Sequence, residues 1–175
     1  PLQSGSDRIL KLMRRPYAAA EFRELLKYIE CKLPDAGIGT DVLVGFPGET
    51  DRDFAETCDL IQAAPLTYMH VFPFSPREGT AAYSMPGRLP AAEMKQRLNT
   101  ILEISRSKSL SFRRRFIGQA LPAITLSQDE ALGASLALTG NYIHVHVQGL
   151  SEPPNRLVNI RIDNVCPDAT FASLT

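Results

Sequence analysis

The sequence predicts an α/β chain in two parts, with parallel β-α-β units over residues 1–116 and a small antiparallel β-barrel or sandwich over residues 117–175. Three observations carry that division. In the first part, apolar runs alternate with helix-patterned stretches across short connections. From Gly118 the pattern changes to the short alternating runs ALPAITL, ASLAL, NYIHVHVQG, RLVNIRIDNV and ATFASLT, separated by turn residues. The charge changes as well. Lys plus Arg equals Asp plus Glu at 19 each, yet residues 1–115 hold 17 basic and 14 acidic side chains while residues 116–175 hold 2 and 5.

Taken in order, Leu2 and Gln3 close a strand whose beginning lies upstream. The opening PLQSGSD lacks an initiator Met, so an excised segment of a longer protein is expected. Ser6 is the expected N-cap of a helix carrying Ile9, Leu10, Leu12 and Met13, which Pro16 stops. A second helix over 19–32 has Phe22, Leu25, Leu26 and Ile29 as its apolar stripe. LPDAG turns the chain into a strand over 38–45, apolar enough to be buried on both faces. Thr50 caps the next helix, with Asp51 and Asp53 near its positive end, and Pro65 ends it. A strand over 67–73, a Pro- and Gly-rich loop over 74–90 and a long helix over 91–116 complete the first part.

Composition excludes several classes. No apolar run approaches the ~18 residues of a membrane span, and no secretory signal opens the chain. Cys31, Cys58 and Cys166 are three scattered thiols without ligand spacing, which points to a reducing, cytoplasmic setting rather than a disulfide framework. Cys58 shares i, i+4, i+7 spacing with Phe54 and Ile61, so burial is expected.

The stretch TDVLVGFPGETDRDF has the strand, glycine turn and helix of a phosphate loop. It lacks the lysine and hydroxyl of such a loop, and Glu49 and Asp51 repel phosphate at that helix start. Asp41 is its informative residue. Period-two alternation puts Gly39, Asp41, Leu43 and Gly45 on one face, with Thr40, Val42 and Val44 on the other. A carboxylate within such a strand either pairs locally or faces a ligand. If the strands form a barrel, their carboxyl ends line the functional face. Gln3, Asp41 and the residues after YMHVF then converge there, and with Arg15 they suit a zwitterionic, hydroxyl-bearing ligand. Arg15 also reads as a cation at a helix C-terminus.

In the second part, Tyr142, His144 and His146 share one face of NYIHVHV and Ile143, Val145 and Val147 the other. The second set is core. The first set either stacks on nucleobases or forms a solvated outer face. A metal site from His144, His146 and Cys166 needs further ligands. Arg106, Lys108, Arg113, Arg114 and Arg115 form a cationic stripe, read either as a phosphate contact or as a solvated helix end.

The segments PLQSGSDRILKLMRRPY, TDVLVGFPGETDRDF and HVFPFSPREGTAA, in this order and spacing, resemble the radical S-adenosylmethionine methylthiotransferases. The resemblance covers nearly the whole chain. It implies the C-terminal half of a partial TIM-type (β/α) barrel over 1–116, followed by a TRAM domain, an OB-like RNA-binding barrel, over 117–175. MRRPY and HVFPFSPREGT are most similar to the MtaB-type branch, which adds a methylthio group to N6-threonylcarbamoyladenosine beside the tRNA anticodon. Isopentenyladenosine tRNA and a ribosomal protein are the substrates of the other branches. In this family the reduced cluster cleaves S-adenosylmethionine to a 5′-deoxyadenosyl radical, and a second S-adenosylmethionine supplies the methyl group.

The resemblance implies S-adenosylmethionine contacts from Gln3, Asp41, Arg15, Leu43 and Phe72, with help from Ser4. Arg15 matches the arginine that pairs with the cofactor carboxylate, a geometry suited to a guanidinium fork. Leu43 and Phe72 match positions flanking the adenine. It also implies RNA contacts from Arg106, Lys108, Arg113, Arg114, Arg115, Tyr142, His144 and His146, with tRNA and the upstream domains of the same chain as partners. One departure is decisive: the CxxxCxxC motif of the family is absent from residues 1–175. The ligands of both [4Fe-4S] clusters are therefore expected outside this chain, and the segment alone is expected to be inactive. The competing reading is a non-catalytic RNA-binding protein built on a barrel remnant.

Overall fold

The computed structural model of the chain describes residues 1–129, 134–150 and 152–175, which fall into two units, Pro1–Arg106 and Ser107–Thr175. The first unit runs α1 (Asp7–Leu12), α2 (Ala19–Lys32), β1 (Gly39–Val44), α3 (Asp51–Ala63) and β2 (Tyr68–Pro73), then a 3-10 turn (Ala81–Ser84) and most of α4 (Ala91–Arg114). β1 and β2 are parallel, with Gly39 opposite Tyr68, Asp41 opposite His70 and Leu43 opposite Phe72. Gln3 bridges to Val42 on the other edge of β1, donating its N–H to the Asp41 carbonyl and accepting from the Leu43 N–H, both at 2.9 Å. The outer side of β2 meets α4, where the Ser105 hydroxyl accepts the Met69 N–H at 2.9 Å.

Among the described residues only one face of this sheet is covered. Val42, Val44 and Met69 join Leu2, Leu10, Leu26, Leu60, Ile61 and Ile101 in the core, while Asp41 and Leu43 are half-buried and His70 and Phe72 exposed. The expectation of a strand buried on both faces is thus corrected: the buried residues of β1 sit at the even positions, and its odd positions are half-buried or exposed. The α2 stripe is narrower than expected for a similar reason. Leu26 is buried, Phe22 and Ile29 are half-buried, and Leu25 is 53% exposed. The first helix stops at Leu12, before Pro16, because Arg14 takes a left-handed φ of 56°.

Two polar junctions bind the elements of this unit. In the first, the turn after β1 buries Glu49. Its carboxylate accepts the Gly45 N–H at 3.0 Å and Arg97 Nη1 of α4 at 2.9 Å, and Arg97 also reaches Asp51 at 2.7 Å and Glu93 at 2.5 Å. The guanidinium lies over the Phe54 ring at 5.2 Å. Burial pushes the Glu49 carboxyl up, and the bonds from Arg97 and Gly45 offset part of that shift. Burial also disfavours the charged Arg97, but Glu49 and Glu93 outweigh it and hold the guanidinium protonated.

In the second junction, Asp53 joins the start of α3 to the start of α1. It accepts from Ser6 Oγ at 2.7 Å, from the Thr50 N–H at 2.9 Å and from Arg8, in addition to the Thr50 hydroxyl. Thr50 caps α3 as expected, its side chain accepting from Asp53 N. Ser6 makes no side-chain cap bond at α1, since its hydroxyl goes to Asp53. Burial works against ionisation of Asp53, but the bonds from Arg8, Thr50 and Ser6 prevail and hold its carboxyl well below the usual carboxylate range.

The second unit is a closed barrel of β3 (Ala120–Asp129), β4 (Ala134–Thr139), β5 (His144–Gln148), β6 (Leu157–Val165) and β7 (Thr170–Leu174), in the order β3-β4-β5-β7-β6. Four seams are antiparallel, and β5 pairs with β7 in parallel. A wholly antiparallel barrel is impossible here, because an odd number of strands cannot alternate direction around a closed ring. Ile143, Val145 and Val147 point inward as expected, against Ala123, Ala137, Ile160, Ile162 and Ala172.

Phe112 and Phe116 belong to the same core, and their rings meet edge to face at 5.1 Å. The unit therefore begins at Ser107, inside α4, whereas the composition changes near residue 117. The α-helix itself ends at Arg114, and residues 115–117 close with i to i−3 bonds.

Removing one partner of a buried ion pair strands the other, at a cost of about 3–5 kcal/mol. Arg97→Met is expected to lower the urea midpoint accordingly, and an unchanged midpoint would remove the pair from the fold's supports. For Asp53 the folded value lies below the unfolded one of about 3.9, so its contribution is complete above that pH and is lost as pH falls through the window beneath it. Asp53→Asn should therefore lower stability at pH 7 and flatten the acid dependence below about pH 4, read by urea unfolding at pH 7 and pH 3.

Candidate functional site

The open face of β1 and β2 carries six side-chain positions in three rows: Gly39 and Tyr68, Asp41 and His70, Leu43 and Phe72. Strand alternation places them together, on the face opposite Val42 and Met69. At the amino end, Gly39 leaves room for an aromatic ring. A Cβ there would sit 2.2 Å from Tyr68 Cζ, so the tyrosine ring lies across the glycine. Tyr68 and His70 follow one another with ring centroids 5.4 Å apart.

In the middle row, His70 Nδ1 lies 3.4 Å from Asp41 Oδ1, with both side chains reached by solvent. Asp41 thus pairs locally and still faces outward, so the two readings of its carboxylate are compatible. At the carboxyl end, Phe72 is 50% exposed beside half-buried Leu43, an apolar platform next to a polar pair. Gln3 enters alongside through its backbone bonds to Asp41 and Leu43, with a φ of 66° that turns the chain directly into the Ser-Gly-Ser segment. This face offers a ligand a carboxylate and an imidazole at one level and an apolar surface at the next.

The other expected ligand contacts are placed elsewhere. Ser4 is fully buried. Its hydroxyl meets Thr57 Oγ1 at 3.2 Å and accepts the Ser6 N–H at 3.2 Å, so it braces the turn against α3. Arg15 is exposed and lines two shallow hollows, one with Pro1, Tyr17, Glu21, Phe22 and Leu25 and one with Asp7, Lys11, Pro16, Tyr17, Ala18 and Glu21, neither containing Gln3 or Asp41. Tyr17 fixes this corner by donating to the Pro1 carbonyl at 2.6 Å.

On the second unit, His144 is exposed and His146 half-buried on the outside of β5, with His146 5.8 Å from the Phe171 ring of β7. Tyr142 does not share their strand: it lies in the preceding turn with φ 64° and is 72% exposed. Of the cationic stripe, Arg106, Arg114 and Arg115 are exposed and Lys108 is half-buried. Arg113 is turned onto its own unit instead, donating to the carbonyls of Pro167 at 2.7 Å and Ala169 at 3.0 Å and to the Thr170 hydroxyl at 3.0 Å. That burial lowers its pKa.

Thiol chemistry is dispersed. Cys31 is exposed on α2, Cys166 is half-buried, and burial pushes the Cys58 thiol up to about 11. Among the described residues no three of His, Cys, Asp and Glu are grouped to hold a metal ion, so His144, His146 and Cys166 form no such set. No helix among them is long and apolar enough to cross a membrane.

The site residue that sequence reasoning missed is His70. Its signal was present: parallel pairing of GTDVLV with YMHVFP in simple register puts the histidine beside the aspartate. Glu49 and Arg97 carried no comparable signal, because 48 residues separate them.

Comparison with known proteins bears on this arrangement. Residues 1–61 match the model of the Radical SAM superfamily. The chain is 37% identical, over 92% of its length and 38% of the relative's, to the threonylcarbamoyladenosine tRNA methylthiotransferase MtaB of Aquifex aeolicus (strain VF5). It is 34% identical, over 98% of its length and 36% of the relative's, to the tRNA-2-methylthio-N(6)-dimethylallyladenosine synthase of Nocardia farcinica (strain IFM 10152). A synthase of the same name from Mycobacterium sp. (strain MCS) is 39% identical over 78% of this chain and 26% of its own length. The matches thus span between 26% and 38% of the length of these curated relatives.

Proposed function

We propose that this chain, which belongs to the radical S-adenosylmethionine methylthiotransferase family, is the part of a longer cytoplasmic tRNA-modifying enzyme that orients S-adenosylmethionine on the open face of β1 and β2. The substrate we assign is N6-threonylcarbamoyladenosine beside the tRNA anticodon, which receives a methylthio group. The carrying observation is the Asp41–His70 pair next to the Leu43–Phe72 platform.

That donor set fits the cofactor. Asp41 and Gln3 suit ribose hydroxyls or the amino group, whereas Leu43 and Phe72 with their strand backbone suit the adenine. Arg15 is the guanidinium available for the carboxylate. Ser4 acts behind these residues, holding the turn. When bound, S-adenosylmethionine supplies the radical and methyl chemistry, and the residues of this chain bind it, orient it and shape the opening toward the substrate.

Iron–sulfur clusters do not fit the thiols present. Cys31 is on the surface, Cys58 is held as a thiol by burial, and neither has a second cysteine at ligand spacing. We assign the ligands of two [4Fe-4S] clusters to parts of the protein outside residues 1–175.

The barrel, read as a TRAM domain, meets tRNA through shape and stacking by Tyr142, His144 and His146. Arg106, Lys108, Arg114 and Arg115 supply the phosphate contacts that its acidic composition does not. Arg113 leaves the RNA-binding set because its donors are engaged.

The test is the modified-nucleoside content of tRNA from a strain lacking the gene. Loss of 2-methylthio-N6-threonylcarbamoyladenosine, with its unmethylthiolated precursor accumulating, is expected. Loss of the dimethylallyladenosine derivative instead would move the substrate to the other branch, and no change in either would overturn the methylthiotransferase reading. In the full-length enzyme, Arg15→Ala should weaken S-adenosylmethionine binding by about 10-fold or more and leave tRNA binding nearly unchanged. Equal losses of both ligands would remove Arg15 from the cofactor site.

A further inference from the structure

Both stems of the loop over residues 74–90 are fastened at the carboxyl end of β1. At its start, Phe74 donates its N–H to the Val44 carbonyl at 2.8 Å, and its ring meets Phe46 edge to face at 5.5 Å. At its end, the Gly87 carbonyl accepts the Gly48 N–H at 2.8 Å. Gly87 takes a φ of 81°, and a Cβ on it would lie 3.1 Å from Gly48 N, so only glycine allows so close an approach in this conformation. Leu89 and Met94 occupy the space beside Gly45, where a Cβ would lie 2.1 Å from Met94 Cε.

The tip is internally braced as well. Thr80 Oγ1 donates to the Arg77 carbonyl at 2.7 Å, and the Tyr83 N–H to the Thr80 carbonyl at 3.0 Å. Arg88 ties tip to stem, donating to the Tyr83 carbonyl with its guanidinium 5.6 Å from the Tyr83 ring. Tyr83 is nevertheless 42% exposed, and Arg77 and Arg88 are exposed too. Among the described residues no carboxylate forms an ion pair with either arginine.

An exposed aromatic ring with a guanidinium over one face, at the end where parallel β/α strands carry their chemistry, has the character of a stacking platform for a nucleobase on its other face. Pre-organisation makes it effective, because ring and cation are already ordered before a ligand arrives. We propose that Tyr83 and Arg88 form a base-stacking site for a single-stranded nucleotide of the substrate RNA, with Arg77 and Arg88 contacting phosphate. This rests on the tRNA reading above and adds to it a recognition site on the first unit, independent of the barrel.

The experiment uses the full-length protein and a synthetic anticodon stem-loop RNA with 2-aminopurine in the loop. It compares wild type, Tyr83→Ala and Tyr83→Phe for RNA affinity, 2-aminopurine quenching, S-adenosylmethionine affinity and melting temperature. Tyr83→Ala should weaken RNA binding about 5- to 100-fold and abolish the quenching, Tyr83→Phe should retain both, and the other two readouts should not move. If wild type binds the RNA and Tyr83→Ala binds it equally well, the stacking site is overturned while the tRNA reading stands. A wild type that binds no RNA overturns both. A Tyr83→Ala protein that loses melting temperature and S-adenosylmethionine affinity along with RNA binding makes the pair a loop brace, which also overturns the site.

Discussion

The buried pair of Glu49 and Arg97 is the constraint on which the first unit depends. The Glu49 side chain is 2% exposed and that of Arg97 6% exposed. Neither charge is tolerable at such burial without the other. Because Glu49 also takes the Gly45 N–H, the pair fixes the backbone of the turn that ends β1 as well as the distance from that turn to α4. One carboxylate thus ties the end of β1 to α4. The glycines of the turn then have a reason: Gly45 has a φ of 75° and no room for a side chain.

Asp53 does the equivalent for α1 and α3, with a different balance. It is anchored by hydroxyls and a backbone N–H as much as by Arg8, so its charge is satisfied locally. Around it the packing is close: Gly5 lies so near α3 that a Cβ would fall 2.6 Å from Thr57 Cα. Together the junctions hold the elements around the sheet, while the buried apolar core lies on the Val42 face. The opposite face can therefore remain open and still be precise, as a binding surface requires.

Legibility in the sequence followed the range of the interactions. Local features were readable. The limits of α2, the Thr50 cap of α3 and the inward Ile143, Val145 and Val147 all rest on spacing within a few residues. Features set by distant partners were not. Leu25 continues the apolar spacing of α2 but stays 53% exposed, and the contact of the Ser4 hydroxyl with Thr57, 53 residues away, has no signal in the sequence. Asp51 and Asp53 were read as helix-end acids, where the structure gives each a named cation. The parallel seam lies between these cases. Counting five strands and requiring closure would have exposed it without any knowledge of contacts. For the candidate site, alternation put Asp41 and Leu43 on one face, whereas Phe72 came from the family resemblance and His70 needed the strand register.

The continuous helix α4 has a consequence for the dynamics of the chain. Residues 91–106 belong to the first unit and residues 107–114 to the second, with Ile101 in one core and Phe112 in the other. One uninterrupted ladder of backbone hydrogen bonds is thus shared by the two units. Were the two cores to open independently, amide protection along it would follow two equilibria rather than one.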